Sequence, residues 1–84
     1  MEIAVEISMY PLTGTYIPPI QAFIDGLHTN PALSVSTNNM STHIYGPYDA
    51  VMELLQKEIK PVFEQDDTVV MVIKMINKNL EKAH

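Results

Sequence analysis

Ser41 and His43 lie two residues apart in the segment MSTHIYG, residues 40–46, and are the pair whose types could do covalent chemistry. A serine activated by histidine also needs an acid to orient the imidazole and donors to hold an oxyanion. On a strand the i, i+2 spacing brings neither, and no glycine-rich loop is near. A metal reading is equally poor, because the chain has no cysteine and no second histidine close by. His28, near a helix C-terminus, suits the last carbonyls, and His84 is terminal. Asp66-Asp67 reads as a solvated turn. What remains is reversible binding, for which the polar stretch NNMSTHIYGPYDAV, residues 38–51, supplies hydroxyls, amides and an imidazole between apolar segments.

Charge narrows the ligand. Ten acids face five lysines and no arginine, for a formal net charge of −5. Nucleic acid is disfavoured, since phosphate neutralisation needs clustered Lys or Arg, and a phosphate-rich cofactor lacks its guanidinium clamp. A neutral or cationic small molecule fits better, with no cofactor implied. Eighty-four residues suggest one domain over 1–84, which hides only about 60–65% of its unfolded surface. With 46% hydrophobic residues, completing that core by homo-oligomerisation is a reasonable expectation. The acidic N-terminus MEIAVEISMY does not read as a signal peptide, and no apolar run approaches spanning length, so the expectation is a cytoplasmic protein without membrane insertion.

The elements that must position these residues follow from periodicity. Residues 2–10, EIAVEISMY, alternate with Ile3, Val5, Ile7 and Met9 on one face, which predicts a strand. Pro11 to Pro19 reads as a connection. Ile20, Phe23, Ile24 and Leu27 then make a helical stripe that ends near Asn30-Pro31. Residues 34–38 and 41–45 predict a hairpin turning at Asn39-Met40. Gly46-Pro47 is expected to break the strand and open a second helix, whose stripe is Val51, Leu54, Leu55, Ile59 and Val62. Pro61 should end or kink it at Lys60. Residues 68–76, TVVMVIKMI, read as a final strand before a polar tail. The order βαββαβ predicts an α+β ferredoxin-like sandwich, a four-stranded antiparallel sheet with two helices on one face.

Period two then assigns the face the helices leave bare: Glu6, Ser8 and Tyr10 in the first strand, Ser36 and Asn38 in the second, Ser41, His43 and Tyr45 in the third. The last strand is apolar on both faces. Lys74 is set outward beside Glu6, because under the helices it would be an unpaired buried charge, and Val70, Val72 and Ile76 go with it. Taken singly, each residue has a plain reading: Ser and Asn as surface, the tyrosines as packing, Glu6 with Lys74 as a cross-strand ion pair. Their convergence suggests a site.

The chain also resembles the YkoF-like thiamine-binding family. The resemblance is carried by ISMYPL at the end of the first strand, Tyr16 and IQAFIDGL along the first helix, and MSTHIYG leading into YDAVMELL. It implies a ferredoxin-like domain, here in one copy, assembling as a homodimer or homotetramer and binding thiamine or its hydroxymethylpyrimidine half unchanged. An aminopyrimidine calls for an aromatic platform and a few placed polar groups. Glu6, Ser8, Tyr10, Asn38, Ser41, Thr42 and His43 offer that menu. Glu6 suits the cationic thiazolium, and the missing arginines favour the unphosphorylated vitamin. Tyr16 either closes over the pocket or staples its loop. Ser41 and Thr42 are adjacent on a strand and so point to opposite faces, which leaves Thr42 open between a ligand contact and a structural role. Two other functions compete: a small dimeric ferredoxin-like enzyme resembling monooxygenases, worked by His43 and Tyr45, and a ligand-free regulatory or assembly module.

Overall fold

The structure, a computed structural model, describes residues 1–12, 17–65 and 68–81, and the side chains of these except 17–20. Tyr16, the Asp66-Asp67 pair and His84 therefore lie outside the described residues, as does the side chain of Ile20. Six elements follow in order: β1 (Glu2–Pro11), α1 (Ile17–Leu27), β2 (Ser34–Thr37), β3 (Thr42–Pro47), α2 (Tyr48–Phe63) and β4 (Val69–Ile76). The strands form one antiparallel sheet in the order β2-β3-β1-β4. This is the ferredoxin-like α+β fold that the alternation and stripes predict.

Its core lies between the helices and one sheet face. Ile3, Val5 and Ile7 of β1 and Ile44 of β3 meet Phe23 and Leu27 of α1 and Val51, Leu54, Leu55 and Val62 of α2. Each such side chain contributes about 1.5–3 kcal/mol by leaving water. Register fixes which residues share a face: Val5 pairs with Ile44, so Glu6 must pair with His43 on one side and Lys74 on the other. Lys74 thus stands on the open face with Val70, Val72 and Ile76, as the charge argument requires.

Several boundaries differ from expectation. Gly46-Pro47 does not break the strand. β3 runs through both residues and α2 starts at Tyr48, with Pro47 as its N-cap. Gly46 is buried on the helix side, where a β-carbon would come within 2.5 Å of Leu33 Cδ2; its role is close approach rather than a turn. Nor does α2 stop at Lys60. It continues to Phe63, because Pro61 falls in the last turn, and the Glu64 N–H donates to Lys60 O at 3.0 Å while Val62 anchors that turn in the core. The first helix starts at Ile17, within the stretch expected as connection, and ends at Leu27 rather than near Asn30-Pro31, with the Thr29 hydroxyl donating to Gly26 O at 2.7 Å.

Candidate functional site

On the open face the β1–β3 register draws four polar side chains into one chain of contacts. Ser41 Oγ lies 3.3 Å from Glu6 Oε2 and 3.1 Å from His43 Nε2, and the Tyr45 hydroxyl is 3.4 Å from His43 Nδ1. One tautomer satisfies them all. Tyr45 donates to Nδ1, Nε2–H donates to Ser41 Oγ, and the serine hydroxyl donates to Glu6. Lys74 Nζ is 3.5 Å from the other carboxylate oxygen of Glu6, and His43 Nε2 is 3.5 Å from Oε2. Glu6 and His43 are about a third exposed and Lys74 mostly exposed. Pairs this wet are worth about 0.2–1 kcal/mol each, so the cluster orients side chains more than it stabilises the fold. The His43 and Tyr45 rings lie near-parallel, 22° apart, with centroids 6.3 Å apart.

Beside this chain is a depression of about 270 Å³, lined among others by Ala4, Glu6, His43, Tyr45, Ile76 and Leu80. Ala4 stands between Tyr45 and Ile76 in the register, and its small side chain leaves the hollow between them. The far wall was not legible as such. After β4 the chain turns back over the open face, where Asn79 Nδ2 donates to Glu2 Oε1 of β1 at 3.0 Å and Ser34 Oγ of β2 donates to Glu81. Asn79 is buried and Leu80 faces the hollow. The polar tail therefore acts as a strap. The signal for it was thin: turn-forming Asn77 and Asn79, and one leucine in a charged stretch.

The other expected site residues go elsewhere. Ser8 and Tyr10 share the open face but lie further along β1, opposite Val72 and Val70, about 7 and 14 Å from Glu6 at strand rise. Neither lines the depression; Tyr45 is its aromatic wall. Asn38 holds the β2–β3 turn, its Oδ1 accepting from the Met40 and Ser41 N–H groups at 2.7 and 3.0 Å. It positions Ser41. Thr42 is buried on the helix side, its hydroxyl 3.2 Å from that of Thr37. There, with Ile7, Phe23, Asn38 and Ser41, it lines a second hollow of about 160 Å³. The expected residues are thus divided between two sides of the sheet, and Ser41, which lines the second hollow, touches Glu6 and His43 of the first.

Among the described residues no three His, Asp or Glu side chains are grouped to hold a metal ion, and no helix is long and apolar enough to cross a membrane. Solved structures share the fold. A hypothetical protein of Methanocaldococcus jannascii superposes with a TM-score of 0.75 at 24% identity, covering 93% of this chain and 81% of that one. A Streptococcus pneumoniae protein gives 0.82 at 19%, covering 96% and 91%. A Thermotoga maritima protein described as a "putative thiamine biosynthesis/salvage protein" gives 0.76 at 15%, covering 93% and 85%. No curated protein matches the sequence. The profile of the family described as thiamine-binding protein matches residues 5–83, nearly the whole chain including every segment that carries the resemblance, and the chain belongs to that family.

Proposed function

We propose that residues 1–84 act as one domain that binds thiamine, or its hydroxymethylpyrimidine half, reversibly in the open-face depression. The observation that carries this is the run Tyr45–His43–Ser41–Glu6 along an apolar hollow. Tyr45, Ala4, Ile76 and Leu80 offer a wall and floor for a flat ring, and Glu6 supplies a carboxylate for a protonated aminopyrimidine or the thiazolium. Ser8 and Tyr10 extend the same face toward the rest of the ligand, and Tyr16 is proposed as a further ligand contact. Family membership and the likeness to the Thermotoga protein support a thiamine-related binding role. The ligand is proposed to leave unchanged: His43 is held between Tyr45 and Ser41, and Glu6 is paired with Lys74, which suits a carboxylate that stays ionised and binds a cation. We further infer a cytoplasmic homodimer or homotetramer that has no nucleic-acid partner.

Calorimetric titration tests the reading. Thiamine at 100 times its dissociation constant should stabilise the fold by about 2.7 kcal/mol. No change in melting temperature with millimolar thiamine or hydroxymethylpyrimidine sinks it, and a product mass differing from thiamine after incubation would favour the His43/Tyr45 enzyme instead.

A second reading rests on the helix-side hollow, where Asn38, Ser41 and Thr42 meet Phe23 and, among the described residues, no charged side chain lines the wall. It suits the neutral pyrimidine alone. Thr42→Val, which keeps shape and removes the hydroxyl, should weaken binding in that case and leave it unchanged in the first.

A further inference from the structure

β4 has the composition of a strand from the middle of a sheet and the position of one at its edge. Val70, Val72 and Ile76 on the open face and Ile73 and Met75 on the helix face are all between 37% and 49% exposed. One side of β4 is bonded to β1, and among the described residues no strand lies on the other. Strands apolar on both faces are normally interior, and natural edges are guarded by charges, prolines, bulges or brevity. The opposite edge, β2, follows that pattern with four residues, SVST. β4 has eight, and its one charge, Lys74, leans inward onto Glu6. Next to this edge on the helix side, Met52, Ile59 and Phe63 of α2 join Ile73 and Met75 around a mainly apolar groove of about 520 Å³, which Gln56, Lys60 and Glu64 also line.

We propose that β4 pairs antiparallel with β4 of a second copy, about a two-fold axis normal to the sheet, so that two four-stranded sheets become one of eight. This rests on the assembly part of the function proposed above and not on its ligand. The strand is complementary to itself. Pairing that keeps both copies' helices on one side must set open-face residues opposite open-face residues. Registers centred on Val72 or Ile73 do so with nearly full overlap, and they place Lys74 opposite Val70 or Val72 of the other copy, never opposite its own mate. Lys74 is not left without a counter-charge, since Glu6 already holds it within each copy, and Lys60 and Glu64 beside the groove are of opposite sign. The apolar groove then receives the helix-face side chains of the other strand, covering Phe63, which is 56% exposed.

Sedimentation equilibrium without ligand tests the proposal. The wild-type chain should sediment at twice its monomer mass or more. Met75→Glu, at the edge, should lower that mass at least twofold with the circular dichroism spectrum retained, while Tyr10→Glu, on the open face but off the edge, should not. The chain has no cysteine, so single cysteines report register directly. In an antiparallel pair, facing residues have Cα atoms about 4.5–5.5 Å apart, within disulfide range, and one of Val72→Cys or Ile73→Cys should cross-link under mild oxidation. A wild-type monomer at millimolar concentration overturns the proposal together with the proposed assembly. An oligomer that dissociates with Tyr10→Glu but not with Met75→Glu, or that neither cysteine cross-links, overturns the edge pairing alone. Thiamine titration is read separately in every case.

Discussion

Glu6 accepts from Ser41, pairs with Lys74 and has the His43 imidazole 3.5 Å away, because the register sets it between β3 and β4 in the middle of the sheet. For a cationic ring it is the group with most to offer, since a hydrogen bond to a charged partner is worth about 1.5–3 kcal/mol. Glu6→Gln should therefore weaken thiamine binding by about tenfold or more, read by calorimetry, with little change in melting temperature because the cluster is partly exposed. Ser41→Ala should also weaken binding while shifting stability by less than about 1 kcal/mol. A matched fall in stability would make the serine structural. Alternation alone was enough to put Glu6, Ser41 and His43 on one face and Thr42 on the other. It named Tyr10 for the ligand where Tyr45 lines the depression, because period two reports a residue's face and not its distance from a residue on another strand.

At the scale of elements, β3 is where core and site meet on alternating residues: Thr42, Ile44 and Gly46 point under the helices, His43 and Tyr45 away. Ile44 is fully buried opposite Val5. Ile44→Ala should cost about 2–5 kcal/mol in denaturant unfolding, through lost burial and the cavity left behind. Gly46→Ala is smaller chemically but meets Leu33 Cδ2 at 2.5 Å in a filled core, and a loss of about 1–3 kcal/mol is expected. If Gly46 served only as a turn residue, the alanine would leave the Leu33 packing untouched. The sequence announces Gly-Pro as punctuation, and here the tertiary contact overrides it: the glycine makes room beneath Leu33, and Pro47 forms the end of the strand and the cap of the helix. Pro61 is a similar case, because a proline in a last turn deletes little and Val62 holds that turn from below.

For the whole molecule, the unequal edges are the dominant feature. A four-residue polar edge and an eight-residue apolar one predict association on one side only. The melting temperature should accordingly rise with protein concentration in the wild type and become concentration-independent in Met75→Glu, as checked by calorimetric scans over a hundredfold range. By itself the sequence determined the element order, the core stripe and the face of nearly every strand residue, because periods of 2 and 3.6 are local properties of the backbone. The apolar nature of both faces of VVMVIKMI was legible too, though not where that strand would lie. Only the tertiary structure decided which residues stand side by side: Glu6 against His43, Ala4 as the floor of a hollow, and Asn79 to Glu81 strapped over the open face onto Glu2 and Ser34. The reason is physical. Register and chain reversal depend on contacts between residues as far as 77 positions apart, and no local pattern encodes those distances.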